Sequence, residues 1–186
     1  MAKKKAALPT WIDVKTALRT FDRAGLQGLV HDLYAASKKN QAFLHARLGL
    51  GPDPLNPYKT KISGCICPDV MKNQPISVSG AKKAIADYQK AIGRPDGLAE
   101  LSLFYCEEAF GFVESCSLDD EGYFAALIRM YDRSLEFVSQ LPRTERTTYL
   151  KRLDQLRSRA KHIGRGVQYE LNDLWCSADL DGNQSD

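Results

Sequence analysis

The densest chemistry in this sequence lies between Tyr149 and His162, where Arg152, Arg157, Arg159 and Lys161 crowd together, with Arg165 just beyond. A planar guanidinium fork suits phosphate oxygens and carboxylates equally well. On a helix, Arg152, Arg159 and Lys161 can share one exposed face, which Arg165 extends past Gly164. These five residues form the candidate surface for a partner or for phosphates. A competing use for them lies in the chain itself. Residues 96–136 hold ten acids against Arg129 and Arg133, a net −8. Residues 143–165 hold eight bases against Glu145 and Asp154, a net +6, and residues 170–186 are −5. Blocks of opposite sign on successive segments are expected where antiparallel helices match each other's charge.

Other constellations fall short of a catalytic or metal site. In Cys65-Ile66-Cys67-Pro68 one residue separates the thiols. Zinc sites use two to four, and on a helix the two side chains would diverge by about 200°. Small buried hydrophobes are the better reading. Glu107, Glu108, Glu114 and the triplet Asp119-Asp120-Glu121 could gather Mg²⁺ for phosphoryl chemistry. The triplet equally suits a helix first turn, where negative charge meets the positive dipole end. His31, His45 and His162 stand in no HExxH-type spacing. The chain has no nucleophile elbow, P-loop or dinucleotide fingerprint. Asp179-Leu180-Asp181-Gly182-Asn183 imitates the start of a calcium loop, but Gln184 stands where such a loop needs glycine. The expectation is a protein that is not an enzyme, with no cofactor and no metal.

The elements that would carry these residues are helices. The 186 residues are 44% apolar and 26% charged, the composition of a globular protein. No apolar run reaches the ~18 residues of a membrane span. Residues 1–7 carry Lys3, Lys4 and Lys5 with no apolar stretch behind them, unlike a secretory signal. With an odd number of cysteines (five), free thiols and a cytoplasmic location are expected.

Helical period runs through nearly the whole chain. Thr10 with Asp13 can cap a first helix carrying Trp11, Val14 and Leu18. Asp22 can cap a second, with Leu26, Leu29, Val30, Leu33 and Tyr34 on one stripe. Ser37 can start a third, stopped by Gly49 and Gly51. Five of the eight prolines then fall between Gly49 and Pro75, around a short helix from Pro57 to Cys67 capped by Asn56. Residues 68–78 read as a loop. Stripes follow at Ala81–Ile92, Leu98–Val113 and Phe124–Val138, the last capped by Ser117 with Asp120. Tyr149, Leu153, Leu156, Ala160, Ile163 and Val167 form a coiled-coil-like seam that Gly164 and Gly166 should interrupt.

The fold class predicted is all-α, an N-terminal three-helix lobe followed by an antiparallel array of long helices. The divisions are a flexible basic N-terminus (1–9), a helical lobe (10–50), a proline-rich joint with a short helix (51–78), the array (79–176) and a disordered acidic tail (177–186).

Two resemblances accompany this reading. Tyr123-Phe124…Tyr131-Asp132-Arg133-Ser134-Leu135-Glu136 resembles the second helix of a tetratricopeptide repeat. The chain as a whole resembles a family of small bacterial all-helical proteins of unknown function. The likeness lies in Gly25-Leu26…Leu33-Tyr34-Ala35-Ala36-Ser37, Phe43–Leu48, Ala84–Ala91 and Ile163-Gly164-Arg165-Gly166…Leu171-Asn172-Asp173-Leu174. Arg165 stands where that family usually has tryptophan. The resemblance implies an all-helical fold and no activity. The function expected is a non-catalytic, cytosolic interaction or adaptor module that binds a protein partner or a second copy of itself, with no membrane role. The alternative is a nucleic-acid-associated protein using Arg152, Arg157, Arg159, Lys161 and Arg165 together with Lys3–Lys5.

Overall fold

A computed structural model describes residues 8–116 and 118–178. Every long regular element among them is an α-helix. The basic residues 1–7, the proposed cap Ser117 and the acidic stretch 179–186 with its calcium-like pattern lie outside the described residues. The chain divides into two units, Met1–Leu50 and Gly51–Asp186.

The first unit holds α1 (Trp11–Leu18), α2 (Arg23–Ala36) and α3 (Lys38–Leu48). Each start is satisfied locally. The Asp13 carboxylate accepts the Thr10 N–H at 2.7 Å and its hydroxyl at 2.8 Å. Asp22 accepts from the Gly25 N–H at 2.7 Å, and Ser37 from the Lys39 N–H at 3.1 Å. Gly49 ends α3 with φ 65°, a left-handed cap natural to glycine. Tyr34 and His45 join α2 to α3 through a 3.1 Å hydrogen bond.

The second unit holds α4 (Asn56–Ile66), α5 (Val78–Ala91), α6 (Pro95–Cys116), α7 (Glu121–Ser139), α8 (Arg143–Arg159) and α9 (Val167–Ala178), with single 3₁₀ turns at Val70–Lys72 and Ala160–His162. Helices α4 and α5, α6 and α7, and α7 and α8 run antiparallel. Tyr58 of α4 meets Tyr88 of α5 edge-on, with centroids 5.3 Å apart. Cys106 faces Ser134 across α6 and α7, while Phe112 meets Tyr123 near the turn. Tyr131 of α7 donates to the Leu153 carbonyl of α8 at 3.2 Å. Tyr88, Tyr105, Phe110, Leu101, Leu103, Leu127, Met130 and Leu153 fill the core.

The structure moves several expected boundaries. The proline-rich segment 51–78 is part of the second unit and not a joint, because Ile62 and Ile66, one turn apart on α4, are wholly buried. Helix α4 begins at Asn56 itself, with Leu55 as its cap. Asp120 caps α7, accepting the Tyr123 N–H at 2.8 Å. The C-terminal seam buries Leu153, Leu156, Ala160 and Val167. It breaks where Gly164, Arg165 and Gly166 all take positive φ. Helix α9 continues to Ala178, past the expected start of the tail.

Three buried tyrosines differ in how their hydroxyls are satisfied. Tyr123 donates to the Ile66 carbonyl at 2.8 Å, tying α7 to the end of α4, and Tyr131 has its bond to Leu153. The Tyr105 hydroxyl is buried with no hydrogen-bond partner among the described residues. Tyr123→Phe is therefore expected to cost about 1–2 kcal/mol in urea unfolding, since it removes a bond and strands a carbonyl. Tyr105→Phe should be neutral or stabilising, because it only removes a desolvated hydroxyl. Equal losses in the two variants would contradict this assignment.

Candidate functional site

The basic surface anticipated at residues 152–165 is engaged with the chain's own acids. On α6, Glu100, Glu107 and Glu114 recur every seven residues, and on α8 Arg152 and Arg159 share that spacing. Arg152 donates from Nε and Nη2 to the two oxygens of Glu107 at 2.8 and 2.7 Å, and from Nη1 to Glu100 at 2.6 Å. Glu100 also receives Lys59 of α4 at 2.9 Å. Arg159 holds Glu114 bidentately at 3.1 and 2.5 Å. Arg165 grips both oxygens of Asp119. The hydrogen bonds that Arg152 donates to Glu107, supported by Glu100, push its pKa further up against the opposing effect of burial.

Partner numbers rise together along this seam, so α6 and α8 run parallel, with α7 carrying the chain back between them. The matched pair is thus not two antiparallel neighbours, as the sequence suggested. Within the described residues, Asp132 and Glu136 of α7 make no ion pair with α8. Arg157 faces elsewhere. It binds Asp154 and, at 2.8 Å, Asn172 of α9, and its guanidinium lies 5.4 Å from the Trp175 ring centroid. Lys161 is exposed and forms no ion pair within the described residues.

The first unit offers a different surface. Of its described residues only Ala46 is buried. Trp11, Ile12 and Leu33 keep 68%, 73% and 52% of their surface open, and Val14, Leu26 and Val30 are exposed too. Leu26, Val30 and Leu33 fall at i, i+4 and i+7, so α2 carries an apolar stripe with little packed on it.

A third feature escaped the sequence reading. A groove of about 570 Å³ lies between the N-terminal halves of α5 and α7, lined among others by Ser79, Lys82, Asp120, Ala126 and Arg129. Arg133 stands one turn beyond Arg129 on α7. The available signal was that Arg129 and Arg133 are the two bases, four residues apart, inside the −8 segment. What no local pattern could give is Lys82 of α5 opposite them.

Cys65 and Cys67 are both half-buried, and burial followed by the charge of Glu108 pushes the Cys67 thiol up. Among the described residues no three His, Cys, Asp or Glu side chains come together as a metal site. None of the helices in the described residues is long and apolar enough to cross a membrane. Compared with protein-family models, with curated proteins and with solved structures, the chain finds no match.

Proposed function

We propose that the chain is a non-catalytic helical interaction module whose N-terminal unit docks a protein partner through the apolar face of α1 and α2. The observation that carries this reading is the exposure of Trp11, Ile12, Val30 and Leu33 in a unit whose described residues bury only Ala46. Covering one such side chain stabilises an assembly by about 1.5–3 kcal/mol, so several together form an effective docking surface. The partner chemistry follows from charge. Residues 1–50 hold nine bases against three acids, which favours an acidic, apolar-faced protein surface. The five free cysteines suit a reducing, cytosolic setting. The nucleic-acid alternative draws less support, because a helix that serves phosphates needs open guanidiniums and those of Arg152, Arg159 and Arg165 already hold carboxylates.

The test compares the tagged full chain with a Trp11→Asp/Leu33→Asp variant, identifying bound protein and measuring mass against concentration. The expected result is a defined protein complex that the variant loses while its own melting transition above the first unit is kept. A second copy in place of a different chain would appear as concentration-dependent mass, lost in the same variant. Undiminished complex formation by the variant would sink the reading. So would salt-sensitive RNA binding that disappears on replacing Arg152, Arg159 and Lys161 by Gln.

A further inference from the structure

Charge is compensated at nearly every partly buried cation of the second unit. Lys59 meets Glu100 and Asp53. Arg152 meets Glu100 and Glu107, and Arg157 meets Asp154. Arg146 donates to the carbonyls of Leu141 and Ser139 at 2.7 and 2.6 Å. Lys82 is the exception. It is half-buried in the wall of the α5–α7 groove and forms no ion pair or hydrogen bond within the described residues. Its charged neighbours are Arg129, on the facing wall, and Arg133. Burial first, then these two arginines, lower its pKa. Among the described lining residues the only carboxylate is Asp120, one oxygen of which caps α7 through the Tyr123 N–H. The exposed Arg133 guanidinium lies 5.5 Å from the Phe137 ring centroid and forms no ion pair within the described residues.

A half-buried lysine facing two exposed arginines is a repulsive arrangement that a bound anion relieves. We infer that the α5–α7 groove binds the phosphate group of a small organic phosphate, with Lys82 and Arg129 as its principal cations and Arg133 in support. Arginine offers two parallel donors to phosphate oxygens, and lysine a mobile point charge beside them. Ser79 adds a hydroxyl to the lining. The groove is larger than a bare ion requires and lies in the size range of small-molecule sites. Ile76, Val78 and Ala126 supply apolar wall for the remainder of such a molecule. An extended polyanion fits less well, because the other charged residues along α7 include Glu121, Asp132 and Glu136.

The test titrates the full chain with inorganic phosphate, pyrophosphate and phenyl phosphate at constant ionic strength, following heat and backbone amide shifts. The expected result is saturable binding, with phenyl phosphate tighter than inorganic phosphate and amide shifts centred on residues 77–82 and 120–129. Lys82→Met and Arg129→Gln should each weaken binding at least tenfold, a loss of about 1.4 kcal/mol. Arg143→Gln, which changes an exposed base at the start of α8, should leave it unchanged. Lys82→Met should also melt no lower than the parent chain when no anion is added, and it should lose the rise in melting temperature that phenyl phosphate gives the parent. Non-saturable binding, binding that survives Lys82→Met, or a variant destabilised by loss of the lysine would overturn the inference.

Discussion

Gly97→Ala is expected to lower the melting temperature of the second unit by about 6–12 °C, from a loss of roughly 3 kcal/mol. Ordinarily this substitution inside a helix stabilises by about 0.5–1 kcal/mol, because alanine has less backbone freedom to lose. Here the sign reverses. A methyl group on Gly97 would lie 1.9 Å from the Tyr88 hydroxyl oxygen and 2.4 Å from its ring carbon Cζ. Tyr88 is 2% exposed and packed edge-on against Tyr58, so it has little room to retreat. Either the ring leaves its slot, or the first turn of α6 shifts and drags the Arg94–Asp96 pair with it. Gly111 on the same helix is the control, since an added Cβ there meets nothing within 4 Å. Gly111→Ala should be neutral or mildly stabilising by calorimetry. Combining Gly97→Ala with Tyr88→Leu should recover part of the loss. Equal melting of Gly97→Ala and Gly111→Ala would refute the close-approach argument.

Arg152→Met is expected to be the most costly single change along the α6–α8 seam, at about 2–3 kcal/mol. The side chains of Arg152, Glu100 and Glu107 are 28%, 19% and 31% exposed. Without the guanidinium, two partly dehydrated carboxylates lose their shared donor, and only Lys59 remains on Glu100. Arg159 and Glu114 are more open, at 45% and 37%, so Arg159→Gln should cost no more than about 1 kcal/mol. Lys161→Gln should cost nothing measurable. The triple Gln variant should therefore lose stability mainly through Arg152. Restoring neutrality with Glu100→Gln and Glu107→Gln in the Arg152→Met background should regain much of the loss, because an unpaired buried charge is costlier than no charge. Equal destabilisation by Arg159→Gln and Arg152→Met in urea titrations would contradict this ranking of the two pairs.

Helix identity was readable because its causes are local. Thr10 with Asp13, Asp22, Ser37 and Gly49 each act on backbone groups within four residues of themselves, and the apolar period needs no partner to be seen. The same locality explains the misplaced boundaries. Asn56 is a good cap by type, yet α4 starts on it once Ile62 and Ile66 are pulled into the core. A run of prolines looks like a joint until the helix between them is found buried.

Charge blocks were also visible in the chain, as were the seven-residue spacings of Glu100, Glu107 and Glu114 and of Arg152 and Arg159. The sequence by itself thus determined that this is an all-α protein, where most helices begin and end, and which segments carry opposite charge. Only the tertiary structure decided that α8 returns parallel to α6 and consumes the arginines that looked available. It alone placed Lys82 across a groove from Arg129, and Tyr88 against a position that admits no side chain larger than hydrogen. Caps and periodicity are set by interactions along one helix. Which side chains meet depends on how several helices pack at once, and a small change in that packing turns an open guanidinium into a paired one.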